Sequence, residues 1–285
     1  MIRWTADEEG LAFHDLAAGR VRPEPAQEIE IAPPAYRGPR LLPLVSWLVT
    51  TRLAAPGARA TWRVERRHGP EPARRALEPF GWRLEAERAG RWVLLHGNVP
   101  PPHELPPPRS FKAGELTFEA DYGVFSPDRI DPGSALLLDV AAGLPAVDAV
   151  ADVGIGYGAL AISLVTSGRA RRALGTEVDS IAAWLAERNA HAAGVELRVE
   201  LDPDPLSVER TELTVCNVPT HLDARRSADL MAGLAERARD GRLLAVVHAG
   251  LEQRYRGHLE LPGLETTRHA GADHVVLEVA RQRAG

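Results

Sequence analysis

The chain has 285 residues, 45% hydrophobic and 26% charged, enough for one or two domains with full cores, and this excludes wholesale disorder and a fibrous repeat. Its single cysteine, Cys216, excludes an internal disulfide and a metal site built from cysteines. The net charge of −5 divides into +3 over residues 1–110 and −8 over 111–285, which excludes coating of nucleic acid by bulk charge and leaves local phosphate docking to the front part.

Leu41 to Leu53 is an apolar stretch with Pro43 inside it and predicts a buried helix. Thr61 to Arg66 alternates like a strand, and Pro72 to Glu78 reads as a short helix. Trp82 to Glu87 and Arg91 to His96 read as two strands of a hairpin about Ala89-Gly90. Residues 1–99 therefore form an α+β or partial α/β domain with no catalytic constellation. Arg63, Arg66, Arg67, Arg74 and Arg75 cluster there, as a solvated face or as an RNA-docking surface. Pro100, Pro101, Pro102, Pro106, Pro107 and Pro108 make residues 100–110 an extended connector, because proline fixes φ and donates no hydrogen bond.

From residue 111 strands and helices alternate. Ala146 to Val153 is a strand, followed by a glycine-rich turn and a helix from Ala159 to Val165. Ala173 to Thr176 is a second strand, Ser180 to Ala193 a helix stopped by Gly194, and Glu196 to Leu201 a third strand. Leu213 to Cys216, a helix from Ala224 to Arg239, and a fifth strand from Arg242 to His248 follow. This alternation predicts a parallel sheet with helices on both faces. The end differs: Leu264 to Arg268 and His274 to Ala280 are joined by a turn at Gly271, an antiparallel hairpin closing a parallel sheet.

The turn Asp152-Val153-Gly154-Ile155-Gly156-Tyr157-Gly158 lets the backbone approach a ligand at a helix N-terminus. Gly154, Gly156 and Ala159 match a dinucleotide fingerprint, so a nicotinamide dehydrogenase is a competing reading. Asp152 opposes a pyrophosphate and suits a ligand carrying an ammonium or sulfonium. Glu177, at the next strand end, is placed to accept from both ribose hydroxyls, and Asp202 or Asp204 is the candidate for the adenine amino group. Three acids at the C-terminal ends of three successive strands converge on one crevice.

With these residues in hand, the chain resembles the class I S-adenosylmethionine-dependent methyltransferases, and more narrowly the RsmC-like ribosomal RNA guanine-N2 methyltransferases. Gly123-Val124-Phe125-Ser126-Pro127-Asp128-Arg129-Ile130-Asp131-Pro132-Gly133-Ser134 is similar to that family's lead-in, Asp152 to Gly158 to its glycine loop, and Asn217-Val218-Pro219-Thr220 stands in place of its Asn-Pro-Pro-aromatic motif. The resemblance covers residues 111 to 280. It implies a seven-stranded, Rossmann-like class I sheet over 111–285, with a front domain that is a degenerate copy. It implies S-adenosyl-L-methionine as cofactor, contacted by Phe125, Asp131, Asp152, Gly154, Gly156, Gly158, Glu177, Asp202, Asp204 and Asn217. Ribosomal RNA or a ribosomal subunit is the implied partner of a monomer or homodimer.

An exocyclic base amine is a weak nucleophile, its lone pair being delocalised into the ring. The Asn217 side-chain oxygen and the Val218 carbonyl, on a turn shaped by Pro219, are placed to accept both amine hydrogens. Two departures stand out: Val218 replaces the family's first proline and Thr220 its aromatic, with His221 beside it as a substitute base-contacting ring. An RNA enzyme with another stacking partner, a methyltransferase of protein or small-molecule amines, and a non-catalytic binding module all stay open. No apolar run reaches the roughly 18 residues of a membrane span, and no signal-peptide core follows Met1, so no membrane partner is expected and the expected location is the cytoplasm.

Overall fold

The computed structural model describes residues 2–5, 13–17, 21–33, 37–202, 204–220 and 222–282. The chain divides into two compact units, the first made of Met1–Ser110 with Ala120–Pro127 and the second of Phe111–Glu119 with Asp128–Gly285.

Unit 1 runs β1 (Ile2–Thr5), α1 (Phe13–Ala17), β2 (Ala26–Ala32), α2 (Leu42–Leu48), β3 (Ala54–Glu65), α3 (Glu71–Leu77), β4 (Glu85–Ala89) and β5 (Trp92–Asn98). Its sheet has the order β1-β2-β3-β5-β4. The first three strands are parallel; β5 is antiparallel to β3 and β4 to β5. Along β3 the small or apolar Ala58, Ala60 and Trp62 are buried while Arg59 faces solvent, the period of two that a half-covered sheet imposes. Trp62 meets Trp82 edge-on at 5.2 Å, and the Trp82 indole N–H donates to the buried Ser46 hydroxyl at 2.7 Å. The strand expected from Trp82 begins only at Glu85, where its pairing with β5 starts at His96.

The expected helix over Leu41–Leu53 is three segments: a 3-10 turn at Pro39–Leu41, α2, and a π turn at Val49–Leu53. Pro43 sits in the first turn of α2, where its missing N–H leaves no bond unmade. The Thr50 and Thr51 hydroxyls both donate to the Trp47 carbonyl, at 3.2 and 2.6 Å, drawing that acceptor outward where the helix widens. Strands β1 and β2 were not foreseen in the sequence.

Unit 2 opens with a hairpin, β6 (Ser110–Ala113) and β7 (Leu116–Glu119), and continues with α4 (Pro132–Ala142), β8 (Val147–Val153), α5 (Ala159–Thr166), β9 (Ala170–Glu177), α6 (Ser180–Ala193) and β10 (Leu197–Leu201). Then come β11 (Leu213–Asn217), α7 (Ala224–Arg237), β12 (Arg242–His248), α8 (Glu252–Arg256), β13 (Leu264–Ala270) and β14 (His274–Arg281). The seven-stranded sheet has the order β10-β9-β8-β11-β12-β14-β13. Strands β8 to β12 are parallel, and β14 pairs antiparallel with both β12 and β13, as expected of the terminal hairpin. Two apolar clusters lie on the sheet, one with α4 and α5, the other with α7 and Tyr255 of α8. No helix among the described residues is long and apolar enough to cross a membrane.

The strand order reverses at β8, which has β9 on one side and β11 on the other. Successive crossovers leave in opposite directions there, so a crevice opens above the C-terminal ends of β8 and β11.

Candidate active site

Three structures meet at that crevice: the turn after β8, the end of β9, and the end of β11 beside the start of α4. The turn after β8 carries Gly154, Gly156 and Gly158 at φ +74°, +59° and +93°, the left-handed region that side chains avoid. A Cβ on Gly154 or Gly156 would meet nothing within 4 Å, whereas one on Gly158 would strike Ile162 at 2.7 Å. The first two glycines therefore leave open space above the turn, and the third lets α5 pack.

Asp152 ends the buried run of β8 at 1% exposure. Its Oδ2 accepts from the Ala161 amide at 3.1 Å and so caps α5, whose own cap position is a glycine with no side chain to offer. Its Oδ1 is buried without a hydrogen-bond partner. Burial, reinforced by the neighbouring Glu177, pushes this carboxyl up to about 7, with the Ala161 bond pulling the other way. A buried carboxylate oxygen without a donor is an unmet demand that a cation or a donor group can satisfy.

Glu177 closes β9. Its Oε2 accepts from Gly156 N at 2.7 Å, and its Oε1 from Val178 N at 2.9 Å and Asp179 N at 3.0 Å. Burial raises its pKa while these amides oppose the rise. The carboxylate ties the glycine turn to the start of α6. An ionised carboxylate has about four acceptor sites, so these three bonds leave room for one more donor. Taking both ribose hydroxyls, as expected above, calls for one of these three amides to be released. Asp202 is held beside Glu177 by its own amide, which donates to the Glu177 carbonyl at 3.1 Å. Asp204 is exposed, and its Oδ1 accepts from Leu206 N at 2.9 Å, a local turn.

The end of β11 holds Asn217, whose side-chain nitrogen is bonded to two partners. Asn217 Nδ2 donates to Asp131 Oδ2 and to Ser134 Oγ, both at 3.0 Å. Asp131 is the N-cap of α4, and the same Oδ2 accepts from the Gly133 and Ser134 amides at 3.0 and 3.2 Å. Three N–H groups converge on one oxygen, which makes it an acceptor and fixes which end of the Asn217 amide faces it. The Asn217 carbonyl must then point the other way, and among the described residues it has no hydrogen-bond partner. Val218 packs its side chain into the core and donates its amide to the Val246 carbonyl at 3.0 Å, which anchors the turn in place of the absent proline. Tyr157, within the glycine turn, donates its hydroxyl to the Arg129 carbonyl at 3.2 Å, and the Phe111 and Phe118 rings of the β6–β7 hairpin pack against it.

Residues 115–260 match the family described as methyltransferase small domain. The chain belongs to the methyltransferase small domain family. A ribosomal protein L11 methyltransferase of Geobacter sulfurreducens is 31% identical over 192 residues, 67% of this chain and 55% of that protein. A ribosomal RNA small subunit methyltransferase C of Pseudomonas fluorescens is 29% identical over 203 residues, 64% of this chain and 59% of that one. The chain thus spans little more than half the length of these relatives. In fold it is similar to the T. thermophilus 16S rRNA N2 G1207 methyltransferase (RsmC) solved with AdoMet and guanosine, with a TM-score of 0.71 at 23% identity over 91% of this chain and 74% of that one.

The family match takes in β7, the glycine turn, Glu177 and Asn217, all within unit 2. Phe125, by contrast, is 71% exposed and lies in the segment that groups with unit 1. Pro219 is half-buried and Thr220 exposed. His221 lies outside the described residues. Cys216 is fully buried one residue before Asn217, and burial together with Asp152 pushes its thiol well above the ordinary range, which makes it a packing residue. Sequence reasoning missed Ser134 as an Asn217 partner. Its signal was the cap pattern Asp131-Pro132-Gly133-Ser134, which announces the start of α4.

Proposed function

We propose that the protein is an S-adenosyl-L-methionine-dependent N-methyltransferase acting on the exocyclic amine of a guanine in ribosomal RNA. The observation that carries this is the pinned Asn217 amide, whose nitrogen is committed to Asp131 and Ser134 and whose oxygen is left as an acceptor at the crevice. The residues around it fit the cofactor. Asp152 Oδ1 is a buried acceptor without a donor, and the space above Gly154 and Gly156 is open. Asp152, the glycine turn, Glu177 and Asp202 would hold the cofactor, with Asp131 joining by resemblance; when bound, it supplies an electrophilic methyl group on a sulfonium.

The chain's own residues do the rest. Asn217 Oδ1 and the Val218 carbonyl accept the two amine hydrogens, which draws the nitrogen lone pair out of conjugation and orients it. Holding the nucleophile at a near-attack distance of roughly 3–3.5 Å converts a bimolecular step into an effectively unimolecular one. Asp152 supplies countercharge to the cationic ligand. No side chain has to act as a strong base, because the amine proton becomes acidic once the nitrogen carries the methyl, and it leaves to water. Pro219 shapes the turn, and Thr220 is the base-facing position.

Incubation of the protein with labelled S-adenosylmethionine and unmodified small ribosomal subunits, free ribosomal RNA or total lysate tests this reading. The expected product is N2-methylguanine after nuclease digestion. Label confined to protein overturns the RNA reading and favours the protein-amine alternative, for which the missing aromatic at Thr220 speaks.

A further inference from the structure

We propose that one corner of unit 1, where the β3–α3 turn meets the β4–β5 turn, binds the phosphodiester backbone of RNA through Arg66 and Arg91. The proposal builds on the RNA reading above. The 3-10 turn Arg66–His68 leaves β3 directly, and Arg66 N donates to the Arg91 carbonyl at 2.9 Å, so two arginines sit on adjoining backbone. Arg66, Arg67, His68 and Arg91 are all exposed.

The cations at this corner are not equivalent. Arg67 pairs with Glu65 at 2.5 Å and Arg63 with Glu30 at 3.0 Å. Arg66 and Arg91 have no carboxylate within ion-pair distance among the described residues. Elsewhere in the unit Arg40 pairs with Asp121 and Arg74 with Glu71, while Arg59, Arg75 and Arg88 likewise have no carboxylate partner among the described residues, so what sets this corner apart is the Arg66–Arg91 backbone bond and the stacking on Trp92. The Arg91 guanidinium lies over the Trp92 ring at 4.8 Å, and Arg63 over the same ring at 4.6 Å. Stacking holds the guanidinium plane while its N–H edge stays open, so less freedom is lost when that edge meets phosphate oxygens in a fork. Trp92 is thus a positioning residue for Arg91.

RNA is the occupant that fits best. A guanidinium held with its edge outward meets a phosphate at every step of a backbone, whatever the base sequence, and binding is driven by counterion release. Residues 111–285 carry −8, so an approaching polyanion is repelled there, and the favourable approach is local.

The test measures binding of a fluorescent 30-nucleotide ribosomal RNA fragment to the full chain, with no methyl donor present, over a range of KCl concentrations. Arg66→Gln/Arg91→Gln is expected to weaken binding about 5- to 50-fold at low salt. The slope of log K against log salt should shrink by about 1.4–1.8, or roughly 0.7–0.9 for each lost contact. Arg66→Lys/Arg91→Lys should keep the slope and lose only part of the affinity, since the charge stays and the fork goes. Thermal melting and S-adenosylhomocysteine binding should be unchanged in both. An unchanged salt slope in the glutamine variant overturns the proposal, even with RNA methylation intact. So does a loss seen with polyglutamate and not with RNA. A reduced slope in a protein that methylates no RNA sustains this surface and removes the substrate reading.

Discussion

The two units lay out the same sheet from one edge. Unit 1 runs β1-β2-β3-β5-β4 and unit 2 runs β8-β11-β12-β14-β13, each with three parallel strands followed by two antiparallel ones. The resemblance to a degenerate copy is therefore one of topology. What unit 2 adds is β9 and β10 beyond β8. That addition makes β8 an interior strand where the order reverses and a crevice opens, whereas β1 is an edge, among the described residues, with no reversal beside it. The loops diverge in step. β8 is followed by three glycines, but the stretch from Ala6 to Leu11 has only Gly10. In the sequence, Pro33-Pro34 follow Ala32, the last residue of β2, where Val218-Pro219 follow Asn217, the last residue of β11, so unit 1 has both prolines and a methyl group where unit 2 has the amide. The same strand order carries the candidate site in one unit and, among the described residues, no counterpart of it in the other, because such a site depends on a switch point and a few strand-end side chains.

Removing the amide tests this contrast most severely. Asn217→Ala should lower kcat by about 10²–10³, the usual range for deleting one pre-oriented hydrogen-bonding group from a site. Binding of S-adenosylhomocysteine, followed by calorimetry, should survive. Ala32→Asn in unit 1 should restore nothing, because no crevice stands beside it. Full activity in Asn217→Ala, or rescue from unit 1, breaks the comparison. Ser134→Ala removes one of the two partners of the Asn217 amide and should lower kcat by about tenfold without raising KM.

Asp152 sharpens the contrast through pH. Its carboxyl stands at about 7 in the folded chain against about 3.9 in an unfolded one. Between those values the folded state holds a proton that the unfolded state has released, so this group's contribution to stability is greatest below about 4 and declines as pH rises towards 7. Asp152→Asn keeps an acceptor for the Ala161 amide and cannot ionise. Its melting temperature should therefore gain on the parent chain between pH 4 and pH 8. Ligand binding moves the other way. A cationic ligand favours the ionised form, so affinity for S-adenosylmethionine should rise about tenfold from pH 6 to pH 8 in the parent chain and stay flat in the variant. A flat profile in the parent chain removes Asp152 from the cation site.

The parts of the molecule legible in the sequence are those set by local periodicity. In unit 2 the helix Ser180–Ala193 was readable to the residue, because Asp179 caps it and Gly194 ends it at φ +66°. In unit 1, β2 is not legible in the sequence although Ile29 and Ile31 alternate with glutamates, because seven residues between proline-rich flanks give a short signal. At the site, Asp152, Glu177 and Asn217 were found as strand-end residues. Their hydrogen bonds were not, because Asp131 and Ser134 lie 86 and 83 positions before Asn217 and only the folded sheet brings them together. Nor does spacing reveal that three backbone amides already occupy Glu177.

The smallest effect separates a ligand-facing glycine from an ordinary one. Gly154 in unit 2 and Gly57 in unit 1 have φ of +74° and +77°, and a Cβ on either would meet nothing within 4 Å. On folding grounds alone the two substitutions by alanine are equal, each costing about 1–2 kcal/mol for the left-handed backbone. If open space at Gly154 serves close approach of a ligand, its new methyl stands in the way, and Gly154→Ala should weaken S-adenosylhomocysteine binding about tenfold beyond the shared loss of stability. Gly57→Ala should leave that binding unchanged, since its empty space lies in the unit with no switch point. Equal binding by both variants would mean that the glycine turn is a device of folding alone, and that the cofactor is held by the acids without the backbone.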